Sequence, residues 1–182
     1  MEQLLSALPR LSEFQQLCAA LDNGVSPAAV SGLSPIHRAY FAAALRRQSG
    51  RPVVLLCADE GECQRLAGDL RALTGEEVWT LPGREFTFHN AAVVSRQWEH
   101  LRLKTFWALS QGEVPFLAAP AEALLQRTMP RELLEQAGRT LTMGQRYDLG
   151  ELAEALTAAG YSRCDQVEGV GQFALRGGIL DF

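Results

Sequence analysis

The chain has 182 residues, 47% of them hydrophobic and 21% charged, enough for one α/β domain and part of a second. A net charge of -4 excludes a surface built to neutralise many phosphates, because such binding draws its affinity from clustered Lys and Arg. No apolar run approaches the roughly 20 residues of a membrane-spanning helix, and Glu2 stands where a leader would be basic, so a soluble cytoplasmic protein with no membrane partner is expected.

Leu8, Leu11, Phe14, Leu17 and Leu21 recur three or four apart, which is one face of an amphipathic helix, and Asp22-Asn23-Gly24 ends it. A short strand is expected around residues 28–31. Gly32-Leu33-Ser34-Pro35 then leads into a helix reaching about Gln48, with Ser34 as its cap and Pro35 in its first turn. Val53-Val54-Leu55-Leu56-Cys57 is a continuous apolar run of the kind buried on both faces of a parallel sheet. Asp59 and Glu62 follow at capping-box spacing, and Cys63, Leu66, Ala67, Leu70 and Leu73 form the buried stripe of the next helix.

Residues 77–81 read as another strand, followed by a Pro-Gly loop with Phe86, Phe88 and His89 and a helix over about 95–109. A fourth strand is expected at 114–119, then short helices at 121–127 and 131–137. Alternating apolar strands and amphipathic helices predict an α/β domain over 1–138, an open, mostly parallel sheet with helices flanking both faces.

From Arg139 the rhythm changes. A short strand is followed by Asp148 and Glu151 at a second capping-box spacing, opening a helix that Gly160 ends. Two β-like runs, 161–167 and 172–181, flank Glu168-Gly169-Val170-Gly171, which reads as a hairpin turn. Residues 139–182 are thus expected to be a smaller α+β unit with a β-hairpin. It is still in strand pattern at Asp181-Phe182, so a truncated domain is expected.

The residues carry no recognisable catalytic chemistry. The run Val53 to Glu60 mimics a strand ending in magnesium-binding acids, but a phosphate loop also needs Gly-x-x-x-x-Gly-Lys-Ser/Thr, whose lysine meets the phosphate charge. Sixteen of the seventeen basic residues are arginine; the only lysine, Lys104, lies inside a helix pattern with no glycine near it. Asp59 and Glu60 are then read as helix-capping residues. His37, His89 and His100 are far apart and lack ligand or nucleophile spacing. Cys18, Cys57, Cys63 and Cys164 form no Cys-x-x-Cys pair and read as packed thiols, so no metal is expected. Phe86, Phe88, Trp98 and Trp107 have few basic residues interleaved and read as core or domain-contact aromatics. What remains is Arg163 and Arg176 in a β context beside Phe173 and Gly177-Gly178. Arginine on a rigid strand suits a protein interface through bidentate carboxylate contacts, and spacing alone leaves open that both are ordinary solvated strand residues.

The tail from Gly160-Tyr161-Ser162-Arg163 through Gly171-Gln172-Phe173-Ala174-Leu175-Arg176-Gly177-Gly178-Ile179-Leu180-Asp181-Phe182 resembles the hallmark segment of transcription-repair coupling factors and of the related UvrB excision-repair protein. Ser31-Gly32-Leu33-Ser34 ahead of Val53-Val54-Leu55-Leu56, and Leu81-Pro82-Gly83-Arg84-Glu85-Phe86 with Ser95 and Arg102 downstream, agree with it. The resemblance implies a UvrB-like amino-terminal module, in which 1–138 is a degenerate helicase-like domain 1A and 139–182 the start of the UvrA-binding domain 2. UvrB keeps its phosphate loop and coupling factors have lost it, so the module is expected to be non-catalytic and to hold no cofactor. ATP and magnesium, ATP-driven translocation on DNA and contact with RNA polymerase then belong to downstream domains. Arg176 matches the arginine of the family's UvrA-contacting Arg-Gly motif, Arg163 matches a second arginine of that surface, and Phe173 beside them is expected to be a third UvrA-binding residue. UvrB has a further arginine where this chain has Ala174. The implied partners are UvrA and a carboxy-terminal domain of the same full-length protein, which masks the module. Two other readings stand beside this one, a UvrB-type ATP-dependent helicase or excision-nuclease subunit and an autoinhibitory docking domain.

Overall fold

A computed structural model describes residues 5–83 and 96–182. Phe86, Phe88 and His89, together with Arg84, Glu85 and Ser95 of the resembling stretch, lie outside the described residues. The chain divides into two compact units, Met1–Arg84 with Gly112–Gln126, and Glu85–Gln111 with Arg127–Phe182. This division assigns 85–111 and 127–138 to the second unit, whereas the rhythm of the sequence assigns both to the first and sets the boundary at 138/139.

The first unit contains α1 (Ser12–Asp22), α2 (Pro35–Ser49), β1 (Val53–Cys57), α3 (Glu60–Thr74), β2 (Val78–Thr80), β3 (Phe116–Pro120) and α5 (Ala121–Leu125). Its sheet has the order β1-β3-β2 and is parallel throughout, with Val53 and Val78 both level with Phe116. Every residue of the central β3 is buried. One face of the sheet packs on α2 and α3, whose Ala39, Ala42, Ala43, Cys63, Leu66, Ala67 and Leu70 share a core with Cys57, Val78, Phe116 and Ala118. The alanines leave no bulk between the helices, and burying Phe116 contributes roughly 1.5–3 kcal/mol. α1 adds Phe14, which meets Phe41 edge to face at 5.4 Å and 80°.

Three local expectations are corrected here. Residues 28–31 form no strand, leaving the first sheet with three. The run Ala28-Ala29-Val30 offers a single β-branched residue between Ser26-Pro27 and Ser31-Gly32, too little to hold a place in a sheet. Nor is β1 buried on both faces: Val54 is 57% and Leu56 65% exposed, while Val53 and Leu55 are half-buried or better covered than their neighbours and Cys57 is buried. An apolar run signals burial without revealing whether the strand is central or at an edge. The short strand expected just after Arg139 is likewise replaced by irregular backbone and a turn.

The second unit contains α4 (Arg96–Gln111), α6 (Arg131–Ala137), α7 (Leu149–Ala158), β4 (Ser162–Arg163), β5 (Gln172–Arg176) and β6 (Ile179–Asp181). α4 packs on α6, and α7 packs on all three strands. Asp148 caps α7, its Oδ1 accepting from the backbone N–H of Gly150 at 2.7 Å and of Glu151 at 3.1 Å. The sheet has the order β4-β5-β6. β5 and β6 are the antiparallel hairpin, with Arg176 opposite Ile179 and Ala174 opposite Asp181.

The hairpin turn is therefore Gly177-Gly178 and not 168–171, because β4 pairs with β5 in parallel. A type I′ hairpin turn, one of the two that follow the twist of their strands, needs positive φ at both central positions, and Gly177 and Gly178 supply +53° and +94°. Glu168-Gly169-Val170-Gly171 belongs instead to the crossover between parallel strands. Gln172 Oε1 holds it by accepting from the backbone N–H of Glu168 at 2.8 Å and of Gly169 at 3.1 Å.

Candidate partner-binding site

Burial along β5 falls off toward its end: Phe173 and Ala174 are both buried, whereas Arg176 is exposed. Phe173, expected among the partner-binding residues, is 1% exposed, so its ring packs within the unit and offers no surface for a direct contact. Arg176, three positions on, falls on the opposite face of the pleat and is exposed at the end of the strand. Arg163 stands level with Phe173 in the parallel ladder, so it lies on the Phe173 face, where it is exposed. The structure thus places all three expected residues in one small sheet, with the two arginines on opposite faces. Ala174 shares the face of Arg176 but is itself 1% exposed, so an arginine at this position would have to leave a closed site.

β5 is a firm support for Arg176. Backbone N–H groups of Ser162 and Cys164 donate to Gly171 O and Phe173 O, each at 2.9 Å, on one side, and β6 pairs on the other. Directly across from Arg176 lies Ile179, 71% exposed, with Phe182 exposed nearby in sequence. A cation beside an exposed β-branched residue on a paired strand presents both charge and apolar area to solvent. Ile179 was not singled out from the sequence, and the signal available was its place immediately after the two glycines, opposite Arg176 once the turn is located.

The turn before α2 offers no comparable opening for a phosphate. Pro35 occupies the first helical position, where it supplies no N–H. Ser34 Oγ lies 3.0 Å from His37 Nδ1, so the expected cap makes this contact and no bond to the helix backbone. Arg38 Nη1 donates to Glu62 Oε1 at 2.9 Å, Glu62 Oε2 accepts from Ala58 N at 2.8 Å, and Asp59 Oδ1 accepts from Glu62 N at 2.7 Å. These acids tie α3 to the end of β1 and to α2. Lys104 lies on α4, in the other unit. His37 and His100 are exposed, and among the described residues no group of three or more His, Cys, Asp or Glu is placed to hold a metal ion.

Cys57 and Cys63 are buried, whereas Cys18 and Cys164 are half-buried. Burial pushes both buried thiols above the ordinary range, and the hydrogen bond between them raises Cys63 further while opposing the rise at Cys57. Such thiols are packing groups rather than nucleophiles.

Comparison with known proteins converges on the same region. Residues 140–182 match the family described as the UvrB interaction domain. Over 182 residues the chain is 28% identical to the transcription-repair-coupling factor of Bacillus subtilis, covering 100% of this chain and 16% of that protein. It is 29% identical over 153 residues to the transcription-repair-coupling factor of Staphylococcus aureus (strain USA300), covering 84% of this chain and 13% of the relative. The chain therefore spans less than a fifth of the length of the curated relatives it matches. The chain is thus similar over its own length to transcription-repair-coupling factors, and the residues that build the hairpin lie within the part that matches the UvrB interaction domain.

Proposed function

We propose that this chain is a non-catalytic adaptor module that recruits UvrA to RNA polymerase stalled at DNA damage, within a longer protein whose other parts drive translocation on DNA with ATP and magnesium. The observation that supports it best is Arg176, exposed at the end of a strand paired on both sides, inside the residues that match an interaction domain. A guanidinium on such a support loses little side-chain freedom on binding and can form two parallel hydrogen bonds to one carboxylate. Ile179 adds apolar area beside it, and Arg163 serves the opposite face, consistent with a partner that wraps the small sheet or with a smaller share for Arg163. In this reading residues 1–138 are a degenerate domain 1A and 139–182 the start of domain 2.

In this reading the module binds no nucleotide, and the start of α2 supports that reading. The helix start that would face a phosphate carries a proline, and Arg38, the cation nearest to it in sequence, is held by Glu62. Titration of immobilised UvrA with the chain tests the adaptor role, and Arg176→Ala is expected to weaken capture with the fold intact. Equal capture by Arg176→Ala and Arg176→Glu would remove this residue from the interface. Saturable ATP binding by the chain would favour the UvrB-type enzyme instead.

A further inference from the structure

A second feature of the matched region has no part in the hairpin. Residues 139–147 lie between α6 and the cap of α7, and the backbone there closes into a turn. Gln145 N donates to Thr142 O at 3.2 Å, and Gly144 takes φ +85°. The hydroxyl of Tyr147 accepts from Thr142 N at 2.8 Å and donates to Gln145 Oε1 at 2.8 Å, so one side chain joins both ends of the turn. At its tip Met143 is 100% exposed, with Leu141 at 41% and Tyr147 at 36% beside it in the chain.

A loop with no partner has no need to fix an apolar tip in water, since holding its backbone costs conformational entropy and the exposed side chain returns nothing. Preorganisation does reward binding, because ordering has already been met before the partner arrives. Methionine suits such a role: its unbranched, polarisable side chain adapts to an irregular apolar socket. The flanks add charge of one sign. Arg139 and Arg146 are both exposed, and neither is ion-paired with a described residue. The segment 139–147 contains no acid, and the first one after it, Asp148, is committed to capping α7.

We infer that the Tyr147-clasped turn is a second contact element for the same protein partner, inserting Met143 into an apolar socket whose rim carries carboxylates that meet Arg139 and Arg146. The inference rests on the UvrA-binding reading and extends it to a part of the module separate from the hairpin; the turn lies within residues 140–182 that match the interaction domain.

Binding of the chain to UvrA, measured by calorimetry for a set of single substitutions, tests it. Met143→Ser is expected to weaken binding about tenfold, and Met143→Leu, which keeps the apolar bulk, to stay close to the original affinity. Tyr147→Phe, which removes the clasp but not the ring, is expected to weaken binding about threefold through loss of preorganisation. Charge reversal at Arg139 and Arg146 together should slow association and flatten its salt dependence. Thermal melts should be unchanged for Met143→Ser, because the side chain packs on nothing. If Arg176→Ala weakens binding while Met143→Ser and Tyr147→Phe do not, the turn is not a contact element and the hairpin reading stands. If the unsubstituted chain shows no binding to UvrA, both are overturned.

Discussion

The backbone of Gly138 runs against the indole of Trp107, so closely that a Cβ added to the glycine would lie 2.1 Å from Cζ3 and 2.5 Å from Cη2 of the ring. The contact joins the end of α6 to the C-terminal part of α4 inside the second unit. Gly138 has φ -71°, so backbone conformation is not what demands glycine here; space is. Gly138→Ala is therefore expected to destabilise the unit by about 1–3 kcal/mol, the usual range for overpacking. Chemical denaturation checks it, and Trp107→Leu in the same chain should recover part of the loss by giving the new methyl room.

Removing a helix cap acts by a different route. Asp148 supplies the acceptor for two otherwise unbonded N–H groups of α7, the helix that packs on all three strands of the small sheet. Asp148→Ala should cost about 1 kcal/mol, and Asp148→Asn much less, since both side chains present an acceptor oxygen. Equal melting of the two variants would show that the cap contributes through charge at the helix terminus alone.

Binding and stability should separate cleanly along β5. Arg176→Ala is expected to reduce UvrA affinity by about 1–3 kcal/mol while leaving the melting curve in place. Phe173→Ala should do the reverse in cause, lowering stability by about 3–5 kcal/mol because it empties a buried site. Any loss of binding by that variant should disappear when affinity is compared at temperatures where it remains folded. The Arg163→Ala, Arg176→Ala double variant should show additive losses, because the two side chains leave opposite faces of the sheet.

The two buried thiols make an alkaline prediction. Folding keeps the protons on Cys57 and Cys63 beyond the ordinary thiol value of 9.0. As pH rises past that value the unfolded chain releases them first, so stability that is complete below it is lost progressively above it. Unfolding free energy measured from neutral to alkaline pH should fall in this window, and Cys63→Ala should flatten the fall. A thiol reagent applied to the native chain should reach Cys18 and Cys164 well before the buried pair.

What could be read from the residues followed how local each signal is. The helices over 60–74 and 149–158 were legible because a capping acid and an apolar stripe of period 3.6 lie within one short window, and Asp59 and Asp148 do cap them. The parallel sheet was legible from apolar runs alternating with helices, but the exposure of Val54 and Leu56 was not, since edge position is a property of the whole sheet. The two candidate turns of the second unit show the same limit. Both 168–171 and 177–178 are glycine-rich, and only strand direction distinguishes a crossover from a hairpin. At the candidate site, Arg176 was legible as an exposed strand residue, whereas the burial of Phe173 and Ala174 on opposite faces of the strand was not, since it depends on what packs over each face.

The odd spacing of Phe173 and Arg176 gives the two glycines of the turn a further importance. Their left-handed backbone sets which residue of β6 lies across from Arg176, and hence the phase of the whole ribbon. A slip by a single position would exchange the faces on which the arginine and the phenyl ring lie. A substitution at Gly177 or Gly178 could thus silence the contact surface without touching one of its side chains, by changing the beat on which the strand alternates.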